Sequence, residues 1–102
     1  MKYTITTPLY YVNDKPHLGS SYTTIACDAL ARFQRLNGNS VLFLTGVDEH
    51  GQKIERTAEI KNLDPQLHCD EITDKYKYLW HKLNISFNRF VRTSSTEHKS
   101  LV

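Results

Sequence analysis

The feature that most constrains the fold is an alternation of strand, helix and strand in the first 44 residues. Residues 3–7 are β-branched and aromatic, which favours a strand that Pro8 ends. Residues 41–44 form a continuous apolar run, which is typical of a parallel strand buried on both faces. Between these runs, apolar residues recur at the spacing of one helix face: Tyr22, Ile25, Ala26, Ala29, Leu30 and Phe33. The alternation predicts a parallel βαβ unit with a right-handed crossover.

The ends of this first helix can also be predicted. Ser20 or Ser21 is expected to cap its start, and the Asn37-Gly38 pair is expected to end it.

Further elements follow the second strand. A short helix is predicted at about residues 52–62, and a longer one from Asp64, with the aspartate as cap and Pro65 in the first turn. Residues 85–92 are predicted to be extended, and another helix begins at Ser95. One stripe of the longer helix is apolar: Ile72, Tyr76, Leu79, Trp80 and Leu83. The elements together predict an α/β fold with a Rossmann-like parallel sheet, as in the N-terminal half of a doubly wound domain.

Composition and charge exclude several classes of protein. Lys plus Arg is 13 and Asp plus Glu is 11, so the formal charge of +2 is less basic than electrostatic nucleic-acid binding usually requires. The best apolar run, residues 41–44, is far shorter than the roughly 18 residues of a membrane span, and the N-terminus lacks a signal-peptide pattern. Two cysteines without a CxxC motif provide neither a disulfide framework nor a zinc knuckle. We therefore expect a cytoplasmic or organellar protein with no metal site in this segment.

Two loops at the carboxyl ends of the predicted strands carry residues suited to chemistry, at the edge where open α/β sheets bind ligands. In residues 8–20, His17, Gly19 and Ser20 stand at a helix N-terminus, which suits a phosphate group. The residues alone favour a plainer alternative, in which the histidine caps the helix and the glycine turns the chain. Neither a GxGxxG fingerprint nor a GxxxxGK[ST] P-loop is present, so nicotinamide dehydrogenases and P-loop ATPases are disfavoured.

The second loop, residues 46–51, places two carboxylates and a histidine between two glycines. In one interpretation, Asp48 binds the ammonium group of a substrate. In the other, the loop is a polar turn that caps the next helix. The residues leave the two interpretations about equally supported.

The sequence resembles the methionyl-tRNA synthetases over nearly its whole length. Residues 6–13, Thr-Thr-Pro-Leu-Tyr-Tyr-Val-Asn, and residues 16–20, Pro-His-Leu-Gly-Ser, are similar to the first signature of that family. Residues 22–26 and the block Phe-Leu-Thr-Gly-Val-Asp-Glu-His-Gly-Gln-Lys-Ile at 43–54 are similar to the next two, in order and at the family's spacing. Residues 90–94 match more loosely. Each block is weak alone, but the ordered set is specific.

The resemblance implies that residues 1–102 are the N-terminal part of a class I catalytic, nucleotide-binding domain that continues beyond the chain end. A full-length ligase of this family activates methionine with ATP, bound as its Mg complex, and transfers the methionyl group to tRNA. The tRNA contacts would lie mostly outside this segment, and the lysine-rich second signature, the metal-binding insertion and the anticodon-binding helices are absent from it. We expect the 102 residues alone to be inactive.

The resemblance also assigns site residues by position. His17 and Gly19 match the first and third positions of the His-Ile-Gly-His signature, which implies that His17 is catalytic and that both bind ATP. Ser20 replaces the second signature histidine and is assigned to the same ATP site. The methionine pocket would include Leu9, Tyr11 and Asp48, and the supporting loop residues would be Pro8, Asn13, His50 and Gly51.

Other functions share parts of this pattern. Another class I synthetase for an aliphatic amino acid, or a related nucleotidylyltransferase, would share the histidine–glycine signature without the block around Asp48. A non-enzymatic βαβ interaction module would make both loops coincidental. We interpret His68, Cys69, Cys27, Tyr76 and Trp80 as packing residues rather than as ligands.

Overall fold

The computed structural model describes residues 1–12 and 16–101. The described elements, in chain order, are β1 (Lys2–Thr6), β2 (Tyr10–Tyr11), α1 (Leu18–Leu36), β3 (Ser40–Asp48), α2 (Gln52–Ile60), α3 (Pro65–Lys82), β4 (Arg89–Arg92) and α4 (Thr96–Leu101).

β3 is the central strand of a parallel sheet. One edge of β3 pairs first with β1, from Lys2 beside Ser40 onward, and then with the two residues of β2. The other edge pairs with β4, which covers residues 44–47 of β3. The predicted parallel pairing of the first two long strands is confirmed. The predicted loop after β1 contains an additional strand, β2, which is too short to be recognised by its pattern.

One face of the sheet carries the core. Phe43, Thr45 and Val47 alternate along β3 on this face and are at most 1% exposed. Phe43 and Val47 belong to one cluster with Ile72, Tyr76 and Trp80 of α3, which confirms the predicted stripe of that helix. Leu79 packs partly against the same cluster, whereas Leu83 is 40% exposed. The buried positions of His68 and Cys69 agree with a packing role.

The apolar stripe of α1 does not face the core. This stripe is largely exposed, including Tyr22 at 78%, Leu30 at 50% and Phe33 at 56%. The residues that α1 buries are small or polar: Ser20, Thr24, Asp28 and Ala31. Two of the buried polar side chains have hydrogen-bond partners: Thr24 lies 2.7 Å from the hydroxyl of Tyr10, and Asp28 accepts from Ser86. Periodicity locates an apolar stripe but does not reveal which side of a helix meets the sheet.

Local signals predicted the helix ends unevenly. Asp64 caps α3 by accepting a hydrogen bond from the backbone N–H of Gln66 at 3.1 Å, as expected. The expected serine cap of α1 is wrong, because the helix begins one turn earlier with His17 as its cap. The extended segment is also shorter than predicted, since β4 begins only at Arg89.

Candidate functional site

β2 and β3 bring Tyr11 and Asp48 side by side. The two residues are register partners at the carboxyl end of the parallel sheet. Their neighbours Tyr10 and Val47 point into the core, where the ring of Tyr10 stacks on that of Tyr76 with centroids 5.8 Å apart. Because side chains alternate along strands, Tyr11 and Asp48 point to the face of the sheet opposite this core, here called the open face, where Tyr11 is 40% exposed.

Asp48 uses one carboxylate oxygen in hydrogen bonds and leaves the other available. Its Oδ1 accepts from the backbone N–H of His50 at 3.2 Å and lies 3.4 Å from the hydroxyl of Thr93. Within residues 1–12 and 16–101, Oδ2 has no hydrogen-bond partner. The N-cap residue of α2 is Gly51, so no side chain caps the start of that helix. The alternative in which Asp48 caps that helix is therefore wrong.

Exposed apolar residues precede Tyr11, the register partner of this carboxylate. Leu9 is 42% exposed and Tyr11 is 40% exposed, and the neighbouring Pro8 is exposed as well. Gly51 adopts φ 131°, and a Cβ atom there would collide with the hydroxyl of Tyr11. Glycine at this position therefore lets the loop after β3 close against Tyr11.

The start of α1 presents a histidine. The Nδ1 atom of His17 accepts from the backbone N–H of Gly19 at 3.1 Å, which confirms the capping interpretation. In the neutral ring the proton therefore resides on Nε2, leaving that atom as a donor at an exposed position. A Cβ atom on Gly19 would lie 2.9 Å from Cε1 of His17. The glycine thus makes room for the imidazole as well as for an approaching ligand.

The remaining predicted site residues lie in different surroundings. Ser20 is only 4% exposed, so it sits inside the first turn of α1. His50 is exposed overall, and its Nε2 lies 3.2 Å from the carbonyl oxygen of Thr93. Asn13 lies outside the described residues.

Sequence reasoning missed the most strongly bonded group at this edge, Glu49. Its side chain is fully buried and accepts from Arg92, with 2.6 Å between Nη2 and Oε2. Burial and the charge of Glu49 raise the pKa of the nearby Cys69 thiol to about 11, so this cysteine is not a nucleophile at neutral pH. The adjacent acidic residues at 48 and 49 were the available signal, but the pairing depends on β4, whose place in the sheet the sequence did not reveal.

Across residues 1–12 and 16–101, no cluster of three or more His, Cys, Asp or Glu side chains is arranged to hold a metal ion. In that same part of the chain, no helix is long and apolar enough to cross a membrane.

Comparison with known proteins gives relatives over nearly the whole chain. A methionine–tRNA ligase from Synechocystis is 60% identical over 100 residues, and the chloroplastic/mitochondrial ligase of Arabidopsis thaliana is 51% identical over 100 residues. These matches cover 98% of this chain but only 19% and 16% of the relatives, so the chain spans less than a fifth of their length.

A solved structure supports the same relationship. The methionyl-tRNA synthetase of Mycobacterium tuberculosis, bound by methionyl-adenylate, superimposes with a TM-score of 0.96 at 40% identity and matches 98% of this chain and 20% of its own. The likeness confirms the predicted α/β, Rossmann-like parallel sheet. The family model described as tRNA synthetases class I (M) matches residues 3–102. The chain therefore belongs to the methionine branch of the class I tRNA synthetases.

Proposed function

We propose that the protein carrying this segment is a methionine–tRNA ligase, which activates methionine with ATP and transfers the methionyl group to tRNA. The observation that carries the proposal is the pairing of Tyr11 with Asp48 on the open face of the sheet. A carboxylate with a free oxygen suits an ammonium group, and the neighbouring Tyr11 and Leu9 suit an apolar side chain. Family membership disfavours an interaction module.

In the proposed activation step, a carboxylate oxygen of methionine attacks the α-phosphorus of ATP, and the bond to the pyrophosphate leaving group breaks. Negative charge grows on the α-phosphate oxygens. The Nε2–H of His17 would donate a hydrogen bond to that charge, because Nδ1 already accepts one from the backbone N–H of Gly19. ATP would enter as its Mg complex, with the metal as part of the substrate.

The other proposed ATP contacts are at the same helix start. Gly19 would expose backbone to the phosphates, and Ser20, which is buried in the first turn, would act from within that turn. Pro8, Asn13, His50 and Gly51 would shape the two loops. The second step, attack of a tRNA hydroxyl on the adenylate carbonyl with loss of AMP, would depend mostly on regions outside this segment.

The cellular place of this reaction would be the cytoplasm or an organelle. An organellar site is included because the Arabidopsis relative is named as chloroplastic/mitochondrial.

ATP–pyrophosphate exchange tests the proposal directly. The full-length protein that carries this segment should catalyse the exchange when methionine is present, and much less with leucine, isoleucine or valine. The reason is that the proposed pocket beside Asp48 fits the side chain of methionine. The isolated 102-residue chain is the matched control and should show no exchange. Exchange driven equally well by another aliphatic amino acid would replace methionine with that substrate.

A further inference from the structure

Glu49 is a buried carboxylate that follows Asp48 directly, and Arg92 neutralises it. Arg92 donates to both of its oxygens, at 3.0 Å from Nε and 2.6 Å from Nη2. The hydroxyls of Thr73 and Ser94 donate to the same carboxylate at 3.2 and 2.8 Å. Burial alone would raise the pKa of Glu49, but these hydrogen bonds and the charge of Arg92 outweigh burial and hold the pKa below its usual value. The carboxylate is thus ionised and fixed in direction.

The segment that carries Arg92 also holds the backbone around Asp48. The hydroxyl of Thr93 accepts from the backbone N–H of Glu49 at 2.8 Å and lies 3.4 Å from Oδ1 of Asp48. The carbonyl oxygen of Thr93 lies 3.2 Å from Nε2 of His50. Arg92 and Thr93 therefore contact all three consecutive loop residues, 48, 49 and 50.

The direction of Glu49 determines the direction of Asp48. Side chains on an extended segment alternate between faces, and Glu49 points inward to Thr73 of α3. Asp48 is consequently turned outward, beside its register partner Tyr11. A slip of one residue would exchange the two carboxylates and remove the outward one.

Stability alone does not account for this ion pair. The free-energy cost of removing two charges from water offsets most of the attraction between them. A protein with an apolar pair of similar volume in their place is therefore often equally stable. What the pair adds is orientation, because the planar guanidinium fork fits a carboxylate in a restricted geometry. Asp70, whose side chain is 44% exposed, accepts from the same guanidinium at 2.5 Å and anchors it to α3.

We propose that Arg92 and Glu49 form a positioning pair that fixes the outward direction of Asp48 for the ammonium group of methionine. The inference rests on the proposed function, since it deepens the account of the same site. Glu49 is buried and acts through Asp48, so the pair is distinct from the residues that contact the substrate.

The test replaces the pair by apolar residues in the full-length protein that carries this segment. The double variant Glu49→Leu/Arg92→Met removes both charges together, so no buried charge is left unpaired. Methionine-dependent ATP–pyrophosphate exchange gives the KM for methionine and the KM for ATP, and a melting curve reports stability. Two controls are measured alongside it, namely Asp48→Asn at the site and Arg32→Gln, which breaks a distant ion pair of 2.9 Å with Asp28.

The double variant should keep its melting temperature and its KM for ATP. Its KM for methionine should rise by roughly 10- to 100-fold, because misplacing a binding group by about 1 Å costs up to that order. Arg32→Gln should leave the KM for methionine unchanged. An unchanged KM for methionine in the double variant, together with a raised KM in Asp48→Asn, would overturn the positioning role alone. An unchanged KM in Asp48→Asn would overturn the proposed methionine site and the positioning role with it.

A second variant decides the matter if the double variant does not fold. Arg92→Lys keeps the positive charge but loses the bidentate fork, so Glu49 remains neutralised. A raised KM for methionine at an unchanged melting temperature would support the positioning role. Wild-type values for both quantities would overturn it.

Discussion

The two ends of the parallel sheet use their polar side chains in opposite ways. At the amino end, Asp28 of α1 accepts from Nε of Arg32 at 2.9 Å and from both the backbone N–H and the hydroxyl of Ser86. Arg35 donates to Ser86 and to Asn88, and Asn88 in turn accepts from the backbone N–H of Phe43. The network joins α1 to the segment before β4, and its polar groups bond to one another.

The carboxyl end leaves selected groups available. Oδ2 of Asp48 and Nε2 of His17 have no partner within residues 1–12 and 16–101. The partnered groups around them, including Glu49 and Thr93, hold the loops in place. The comparison shows that a polar network whose groups all bond to one another stabilises the fold. An outward polar group that such a network holds in place indicates a candidate site.

The largest expected effect is that of His17→Ala in the full-length protein. We expect adenylate formation to slow by ~10²–10³-fold, because a donor aimed at charge that develops in the transition state acts on the chemical step. Methionine affinity should stay nearly unchanged. Single-turnover adenylate formation measures the effect, and a normal rate would remove His17 from the mechanism. The lost cap on α1 should add a smaller stability change of about 1 kcal/mol.

Asp48→Asn should mainly weaken methionine binding. A buried charged hydrogen bond that loses its partner charge costs about 2–5 kcal/mol, or roughly 30-fold or more in affinity. ATP affinity should barely change, since the phosphates are assigned to the start of α1. Wild-type affinity for methionine in this variant would show that the outward carboxylate is not the ammonium partner.

Asp28→Asn makes the same chemical change at the amino end and should leave catalysis unaffected. Here the carboxylate accepts three hydrogen bonds, and its pKa is lowered by Ser86 and Arg32 despite the opposing effect of burial. We expect a loss of about 1–3 kcal/mol of unfolding free energy, because hydrogen bonds to a charged group weaken. Urea unfolding measures the loss, and reduced methionine affinity would contradict the separation between the two ends.

Local signals predicted much of the fold and part of the site. Alternation of apolar runs found β1, α1 and β3, and the Asp64-Pro65 pair marked the start of α3. The structure makes Asp48 the register partner of Tyr11, and the role of the loop after β3 in binding a substrate stays a prediction. Asp48 and Tyr11 could be assigned to one pocket only by resemblance, because β2 has just two residues.

Other features depend on contacts between distant parts of the chain. The inward face of α1 is set by Asp28 meeting Ser86, 58 residues later, so a local stripe could not reveal it. The Glu49–Arg92 pair requires β4 to lie beside β3. This is one of several strand orders that the sequence allowed. The helix-end rules favoured Ser20 or Ser21 as the cap because serine ranks above histidine at that position, whereas the cap is His17, as the plainer interpretation of the first loop had it.

The most direct test of the central claim compares the two aspartates in one experiment. Methionine is titrated by calorimetry into full-length wild type, Asp48→Asn and Asp28→Asn, and a melting curve is recorded for each. The account predicts that Asp48→Asn loses methionine affinity by roughly 30-fold or more at a nearly unchanged melting temperature, and that Asp28→Asn melts earlier with wild-type affinity. Equal methionine affinity in all three proteins would contradict the claim that the carboxyl end of this sheet binds the amino acid.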